Sequence, residues 1–140
     1  MSRSTTSLRL DDELRHRLTT LAEREATSLT SLVERLLREG LTVAEHPGIV
    51  FKPGPSGRRA SLAGGPDVWE IASALRHVSG TEAERVRKLS EEFGLHERQI
   101  AIALNYAASN PEEIEARVRA NDEGMERAEE VARQRKRLLA

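Results

Sequence analysis

The chain has 140 residues, with 22 Lys and Arg against 23 Asp and Glu, a formal net charge of -1. This balance excludes a protein whose whole surface binds nucleic acid, so that any DNA contact must be local. Only 3% of the residues are aromatic and none is cysteine, which disfavours stacking on single-stranded bases and excludes disulfides and Cys-containing zinc sites. No apolar run approaches the length of a membrane span and no signal peptide is visible, so we expect a cytoplasmic protein.

The first predicted element is a short strand, residues 5–10, in which polar and apolar residues alternate. A lone strand has no partner for its backbone and no cover for Leu8 and Leu10, so we expect it to pair with a second copy. The paired ribbon would present a polar face made of Thr5, Ser7 and Arg9. Such a ribbon fits the DNA major groove, where Arg9 can bind guanine, although similar strands also occur on ordinary sheet surfaces.

Two helices are predicted after the strand. Asp11 is a favourable N-cap, and a helical stripe follows it up to about Glu25, formed by Leu14, Leu18, Leu21 and Ala22. Ser28 is a second N-cap, and Gly40 is the predicted C-terminal stop of the second helix. The apolar face of that helix consists of Leu29, Leu32, Val33, Leu36 and Leu37.

The order strand, helix, helix over residues 4–41 resembles the ribbon-helix-helix (MetJ/Arc/CopG-type) DNA-binding family. The resemblance implies an intertwined homodimer that binds double-stranded operator DNA. It implies base contacts from Thr5, Ser7 and Arg9. It also implies that the start of the second helix binds a DNA phosphate through Ser28, Leu29 and Thr30. The glycine often found between the two helices is replaced by Ala26 and Thr27, which leaves the turn geometry open.

A boundary at residues 46–48 separates this region from a predicted β-hairpin. Residues 49–52 and 59–62 are short strand candidates around the turn-forming sequence Pro-Gly-Pro-Ser-Gly. Pro66 suits the first turn of a following helix, whose apolar face includes Val68, Trp69, Ile71, Ala72 and Leu75. We interpret Trp69 as a core residue rather than as a platform for a ligand.

Two further helices are predicted in the middle of the chain. Thr81 and Glu84 match a capping box, and Gly94 ends the helix that they begin. The next helix carries Ile100, Ala103, Leu104 and Ala107 on one face. The spacing is typical of a helix-turn-helix, but many three-helix cores share it. A second DNA-reading helix and a structural or protein-binding core therefore remain alternatives; the exposed residues would be His96, Glu97, Arg98, Gln99 and Asn105.

Residues 48–114 resemble the family called domain of unknown function 433. The resemblance lies in four segments, which are residues 57–60 (GRRA), 64–71 (GGPDVWEI), 100–107 (IAIALNYA) and 110–114 (NPEEI). Members of that family are frequently antitoxins of VapB type or their relatives, encoded beside a ribonuclease toxin of PIN-like fold. The resemblance therefore implies an antitoxin that represses its own operon, and it supplies no catalytic residue.

The last predicted element is an amphipathic helix that starts near Pro111. A heptad of apolar residues predicts a partner-binding face, formed by Val118, Met125, Ala132 and Leu139. Asn121 and Gly124 lower helix propensity, so we expect a bend or fraying there. The basic run Arg133, Arg135 and Arg137 is either a solvated helix end or a source of one arginine that enters the acidic metal-binding pocket of a nuclease toxin.

Enzyme motifs are missing from the sequence, so we predict neither catalysis nor a cofactor. The histidines lack ligand spacing, and no phosphate-binding glycine loop or nucleophile motif is present. Three functions remain: an autorepressing antitoxin, a free-standing transcriptional repressor, and a protein-interaction adaptor that dimerises through the ribbon.

The predicted fold is mainly α. It comprises a ribbon-helix-helix domain over residues 1–45, and a β-hairpin with a trihelical, helix-turn-helix-like domain over residues 46–110. A long C-terminal helix over residues 111–140 completes it.

Overall fold

The computed structural model describes residues 2–140. Over these residues the chain is mainly helical and has one antiparallel two-stranded sheet, which confirms the predicted class. Its contacts divide it into a first unit that ends at Thr42 and a second unit, Val43–Ala140. The elements in chain order are α1 (Asp12–Arg24), α2 (Leu29–Glu45), β1 (Ile49–Lys52), β2 (Arg59–Leu62), α3 (Val68–Leu75), α4 (Glu82–Phe93), α5 (Glu97–Ser109) and α6 (Pro111–Leu139).

Both helices of the first unit begin at the predicted N-caps. The Asp11 carboxylate accepts a hydrogen bond from the Leu14 amide at 2.8 Å, and Ser28 Oγ accepts one from the Ser31 amide at 3.1 Å. These bonds satisfy N-H groups that no carbonyl within the helix can reach. The two helix starts are therefore set by local side chains, as the sequence predicts.

The turn between α1 and α2 has a geometry that normally requires glycine. Ala26 has a φ of 52°, in the left-handed region. The Thr27 amide donates to the Ala22 carbonyl at 3.0 Å, and the Ala26 amide donates to the Glu23 carbonyl at 3.2 Å. This pair of bonds is a Schellman motif. The chain thus keeps a standard helix-ending turn without the glycine that usually occupies it.

The predicted end of the second helix at Gly40 is wrong, because α2 continues to Glu45. Glycine inside a helix lowers stability by only about 0.5–1 kcal/mol relative to alanine, which the helix-forming residues on either side outweigh. The stop lies instead at Pro47, which cannot continue a helix, and at Gly48, which has a φ of 101°.

Strands β1 and β2 form the predicted hairpin. Ile49 lies opposite Leu62 and Lys52 lies opposite Arg59 in an antiparallel register. A side chain from the last helix holds the hairpin turn, since Arg117 Nη2 donates to the Arg58 carbonyl at 2.7 Å. Helix α6 is therefore in direct contact with the loop that joins β1 to β2.

The hydrophobic core of the second unit draws residues from the hairpin and from all four helices α3 to α6. Trp69 is half-buried and packs against this core, in agreement with its predicted role. The fully enclosed members are Ile49, Ala60, Leu62, Val68, Ile71, Leu89, Ile100, Ala103, Tyr106 and Ile114.

Helices α3 and α4 begin at polar caps. The prediction that Pro66 lies in the first turn of α3 is wrong, because Asp67 is the N-cap and its amide donates to Glu70 Oε2 at 2.8 Å. Asp67 and Glu70 supply the reciprocal bonds of a capping box, which proline cannot. Thr81 caps α4 by accepting a bond from the Glu84 amide at 3.2 Å, which is one of the two bonds of the predicted capping box, and Gly94 ends the helix with a φ of 64°, as predicted.

Helix α6 is continuous over 29 residues, so it is neither broken nor frayed at Asn121 and Gly124, in contrast to the expected fraying. One asparagine and one glycine lower the helix propensity by an amount that the neighbouring Glu, Arg and Ala residues compensate. The first part of α6 packs on the unit through Ile114 and Val118. From residue 123 onward every residue except Gly124 is exposed.

Candidate nucleic-acid interface

The predicted base-reading strand, residues 5–10, lies within residues 2–11, which precede α1 and have neither helix nor strand within the single chain. Thr5, Ser7 and Arg9 are all exposed there. Before Asp11 the segment contains Arg3 and Arg9 and no acidic residue. It is therefore an exposed, cationic stretch of backbone with unpaired hydrogen-bonding groups, which is chemically suited to strand pairing and to contact with DNA.

One contact ties this segment to the rest of the first unit. Arg3 Nη1 donates to Glu34 Oε1, in α2, at 2.9 Å. Both side chains are largely exposed, and a pair of this kind contributes only about 0–1 kcal/mol. The sequence analysis did not identify Arg3, because no local pattern links it to a glutamate 31 residues away.

The predicted phosphate-binding residues lie together at the start of α2. Ser28 and Thr30 are exposed and Leu29 is half-buried. The Ser28 hydroxyl is occupied, since it accepts a bond from the Ser31 amide and donates one to Ser31 Oγ at 2.9 Å. The amides of Leu29 and Thr30 lie in the first turn, where no carbonyl of the helix can accept from them. They are suited to bind an anion.

The leucines of the first unit are mostly uncovered. Leu8 is 66% exposed, Leu37 is 55% exposed and Leu41 is 62% exposed. Among the described residues of this unit, only Ala22 and Leu32 are buried. A groove of about 580 Å³ lies along α1, with the apolar residues Leu14, Leu18, Leu21 and Leu36 and the polar residues His16, Arg17, Thr20 and Arg24 in its lining. The unit therefore presents an apolar surface that is large for its size.

The structure separates the predicted partner-binding residues of α6 into two groups. Val118 is half-buried and packs against the core of its own unit, so it is not free to bind a partner. The remaining six are exposed: Met125, Ala132, Arg133, Arg135, Arg137 and Leu139. Arg133 is engaged within the helix, since its Nη2 lies 2.6 Å from Glu130 Oε2.

The alternative DNA-reading helix, α5, has two of its predicted contact residues occupied as caps. His96 Nδ1 accepts a bond from the Arg98 amide at 3.1 Å, and the His96 amide donates to Gln99 Oε1 at 2.9 Å. Glu97 is exposed at the helix start, where it would repel a phosphate. The local charge therefore favours DNA contact less here than in residues 2–11.

A polar network that the sequence analysis missed joins the hairpin to α3. Asp67 Oδ2 accepts from Arg59 Nε at 2.5 Å and from Trp69 Nε1 at 3.1 Å, and Asp67 Oδ1 accepts from Ser61 Oγ at 2.6 Å. Burial raises the pKa of Asp67, but the bonds from Ser61, Arg59 and Trp69 and the charge of Arg59 outweigh it, so the pKa lies below its usual value. Both carboxylate oxygens are thus committed to holding the fold.

Within residues 2–140, no three His, Asp or Glu side chains are grouped in a way that could hold a metal ion. None of the helices in the same range combines the length and apolar character needed to cross a membrane. No family model, curated protein or solved structure matches the chain.

Proposed function

We propose that the chain is a homodimeric, sequence-specific DNA-binding repressor that acts as the antitoxin of a type II toxin-antitoxin pair. The observation that carries the DNA-binding part is the exposed alternating segment, residues 5–10, directly before two helices whose leucines lack cover. The antitoxin part rests on the exposed distal half of α6 and on the family resemblance of residues 48–114.

A second copy would supply what the first unit lacks. A fully buried leucine side chain stabilises a fold by about 1.5–3 kcal/mol, and the unit leaves Leu8, Leu37 and Leu41 more than half exposed. Pairing of two residue 5–10 segments would satisfy their backbone groups and cover Leu8 and Leu10 in one step. Dimerisation and strand formation are therefore coupled in this proposal.

In the paired ribbon, Thr5, Ser7 and Arg9 would face the major groove. Arg9 carries the specificity in this proposal, because a guanidinium can form two hydrogen bonds to guanine. The free amides at the start of α2 would hold a backbone phosphate and thereby fix the position of the ribbon. Residues 2–42 contain seven arginines and seven carboxylates, so attraction to DNA comes from the local charge near Arg3 and Arg9.

Replacement of Arg9 tests this proposal. A DNA site is first selected from a random double-stranded pool with the wild-type protein. Arg9→Ala is expected to lower the preference for that site over random DNA by about 1–3 kcal/mol while the protein stays dimeric. Arg15→Ala, which removes an exposed arginine from α1, is the matched control and should keep most of the preference. An unchanged ratio in Arg9→Ala would refute base reading by Arg9.

The toxin partner in this proposal is a ribonuclease of PIN-like fold. The exposed apolar residues of α6 would dock on it, with a nearby arginine directed at its acidic metal-binding pocket. Co-expression with the product of the neighbouring gene tests this: the full chain is expected to restore growth that the neighbour inhibits. If no adjacent gene encodes an inhibitory nuclease while operator binding persists, the chain is a free-standing repressor. If DNA binding fails as well, it is a dimeric adaptor.

A further inference from the structure

The distal segment of α6, defined here as residues 123–140, extends beyond the core of its unit. Met125 is 57% exposed, Val131 67%, Leu138 85% and Leu139 80%. An isolated helix of this length is only marginally stable in water. Cover for its apolar side chains would therefore stabilise it.

The charges of the distal segment are sorted along its length. Residues 123–130 contain four glutamates and one arginine, whereas residues 131–140 contain three arginines, one lysine and no acidic residue. Parallel pairing of two such helices would place acid against acid and base against base. Antiparallel pairing would place the acidic part of each helix against the basic part of the other. The segment is thus electrostatically complementary to itself in one orientation.

From this charge distribution we propose that two distal segments pair antiparallel across a two-fold axis at Ala132. Successive residues of an α-helix are rotated by about 100°, which places the apolar residues on one face of the helix. In this register Met125 lies opposite Leu139 of the second copy, and Ala132 lies opposite Ala132. The small side chains of Ala128 and Ala132 allow the two helices to approach closely.

The register also brings Glu129 close to a lysine of the second copy. By helical spacing Glu129 and Lys136 lie on the same flank of the apolar face. In the antiparallel pair, Lys136 lies one residue from the level of Glu129 of the second copy, on that same flank. Arg135 lies within the apolar face, next to Ala128 and Ala132, and a parallel pair in register would place Arg135 against Arg135, two like charges that repel.

The second copy is favoured over an unrelated partner because one sequence supplies both halves of the match. A two-fold contact repeats each interaction, so the pair of Glu129 with Lys136 occurs twice. The inference depends on neither DNA binding nor a toxin. A toxin that docked on the same face would have to compete with this pairing.

Disulfide cross-linking in the full chain tests the proposal, because the natural chain has no cysteine. Ala132→Cys places the thiols of the two copies next to each other at the two-fold axis and is expected to form an intermolecular disulfide under mild oxidation. Ala128→Cys is the matched control on the same face. Its two thiols would lie about 12 Å apart along the helices, which exceeds the reach of a disulfide. Cross-linking of both variants, of Ala128→Cys alone or of neither would overturn the proposal.

A pair of charge reversals tests the orientation separately. In the Ala132→Cys background, Glu129→Lys is expected to lower the cross-linking rate about fivefold or more, because it places a like charge beside Lys136 at both symmetric sites. Glu126→Lys makes the same change in net charge on the opposite face of the helix and should leave the rate nearly unchanged. Equal rates in the two variants would overturn the antiparallel register.

Discussion

Replacement of Ala26 by glycine is expected to stabilise the first unit. Ala26 has a φ of 52°, and the left-handed conformation disfavours a residue with a Cβ by roughly 1–2 kcal/mol. Glycine adopts this conformation without strain. It also makes the unfolded chain more flexible, which lowers the free energy of unfolding by about 0.5–1 kcal/mol and offsets part of the stabilisation. The net stabilisation expected for Ala26→Gly is therefore about 0.5–1 kcal/mol. Because Ala26 is exposed, no packing contact is lost.

Hydrogen-deuterium exchange of the α1 amides measures this effect without interference from the second unit. Exchange through unfolding of the first unit should slow by roughly two- to fivefold in Ala26→Gly at equal protein concentration. Ala116→Gly, in the exposed right-handed helical part of α6, provides the opposite control and should speed exchange in α6. Unchanged or faster exchange in α1 of Ala26→Gly would show that the turn between α1 and α2 does not carry the strain assigned to it.

Three further predictions follow from the described contacts. Leu8→Asp should abolish dimerisation and unfold the first unit, because two carboxylates would be buried in the ribbon at several kcal/mol each; light scattering that still shows a dimer would exclude the paired strands. Deletion of residues 123–140 preserves the ion pair between Arg76 and Asp122. The truncated chain should bind DNA with nearly the same affinity but should no longer neutralise the neighbouring toxin. A truncated chain that still neutralises the toxin would exclude docking through α6. Because the pKa of Asp67 is lowered in the folded state, its ionised form stabilises the second unit above about pH 4, and this stability is lost as the pH falls through the folded pKa. Unfolding at several pH values, followed by Trp69 fluorescence, should show this loss. Asp67→Asn should be less stable than the wild type at neutral pH by about 1–3 kcal/mol, and its stability should depend less on acid pH. If the stability of both proteins falls equally with pH, the role of the carboxylate is refuted.

Elements bounded by local signals were predicted well from the sequence. The caps at Asp11, Ser28 and Thr81 each bind the amide three residues further on, so the residues that start a helix are adjacent to it in sequence. Gly94 ends α4 by its own backbone conformation. The hairpin follows from a turn with two prolines and two glycines between two short apolar runs.

Features that depend on distant residues were missed. The bonds of Asp67 to Arg59 and Ser61 link residues from different elements, and the bond of Arg117 to the Arg58 carbonyl spans 59 residues. The predicted end of α2 at Gly40 was wrong because the helix-forming residues on both sides outweigh the low helix propensity of one glycine.

For the candidate site, the sequence predicted the types of residue involved but not the neighbours that they contact. Alternation in residues 5–10 identifies a polar and an apolar face, but a strand requires a partner, and its pairing cannot be read from one chain. Val118 matched the heptad of the exposed residues, yet it packs against its own core. Sequence periodicity identifies the face of a helix and does not say which neighbour covers it.

The contact between Arg117 and the hairpin has a consequence for synthesis of the chain. A ribosome that adds about 5–20 residues per second needs roughly 3 to 12 s to travel from Arg58 to Arg117. Until α6 is synthesised, the hairpin and helices α3 to α5 lack Ile114, which completes their core. The first unit has left the ribosome by then and can meet a neighbouring nascent chain on the same messenger. The order of elements thus permits the proposed dimerisation of two first units before either chain has finished folding.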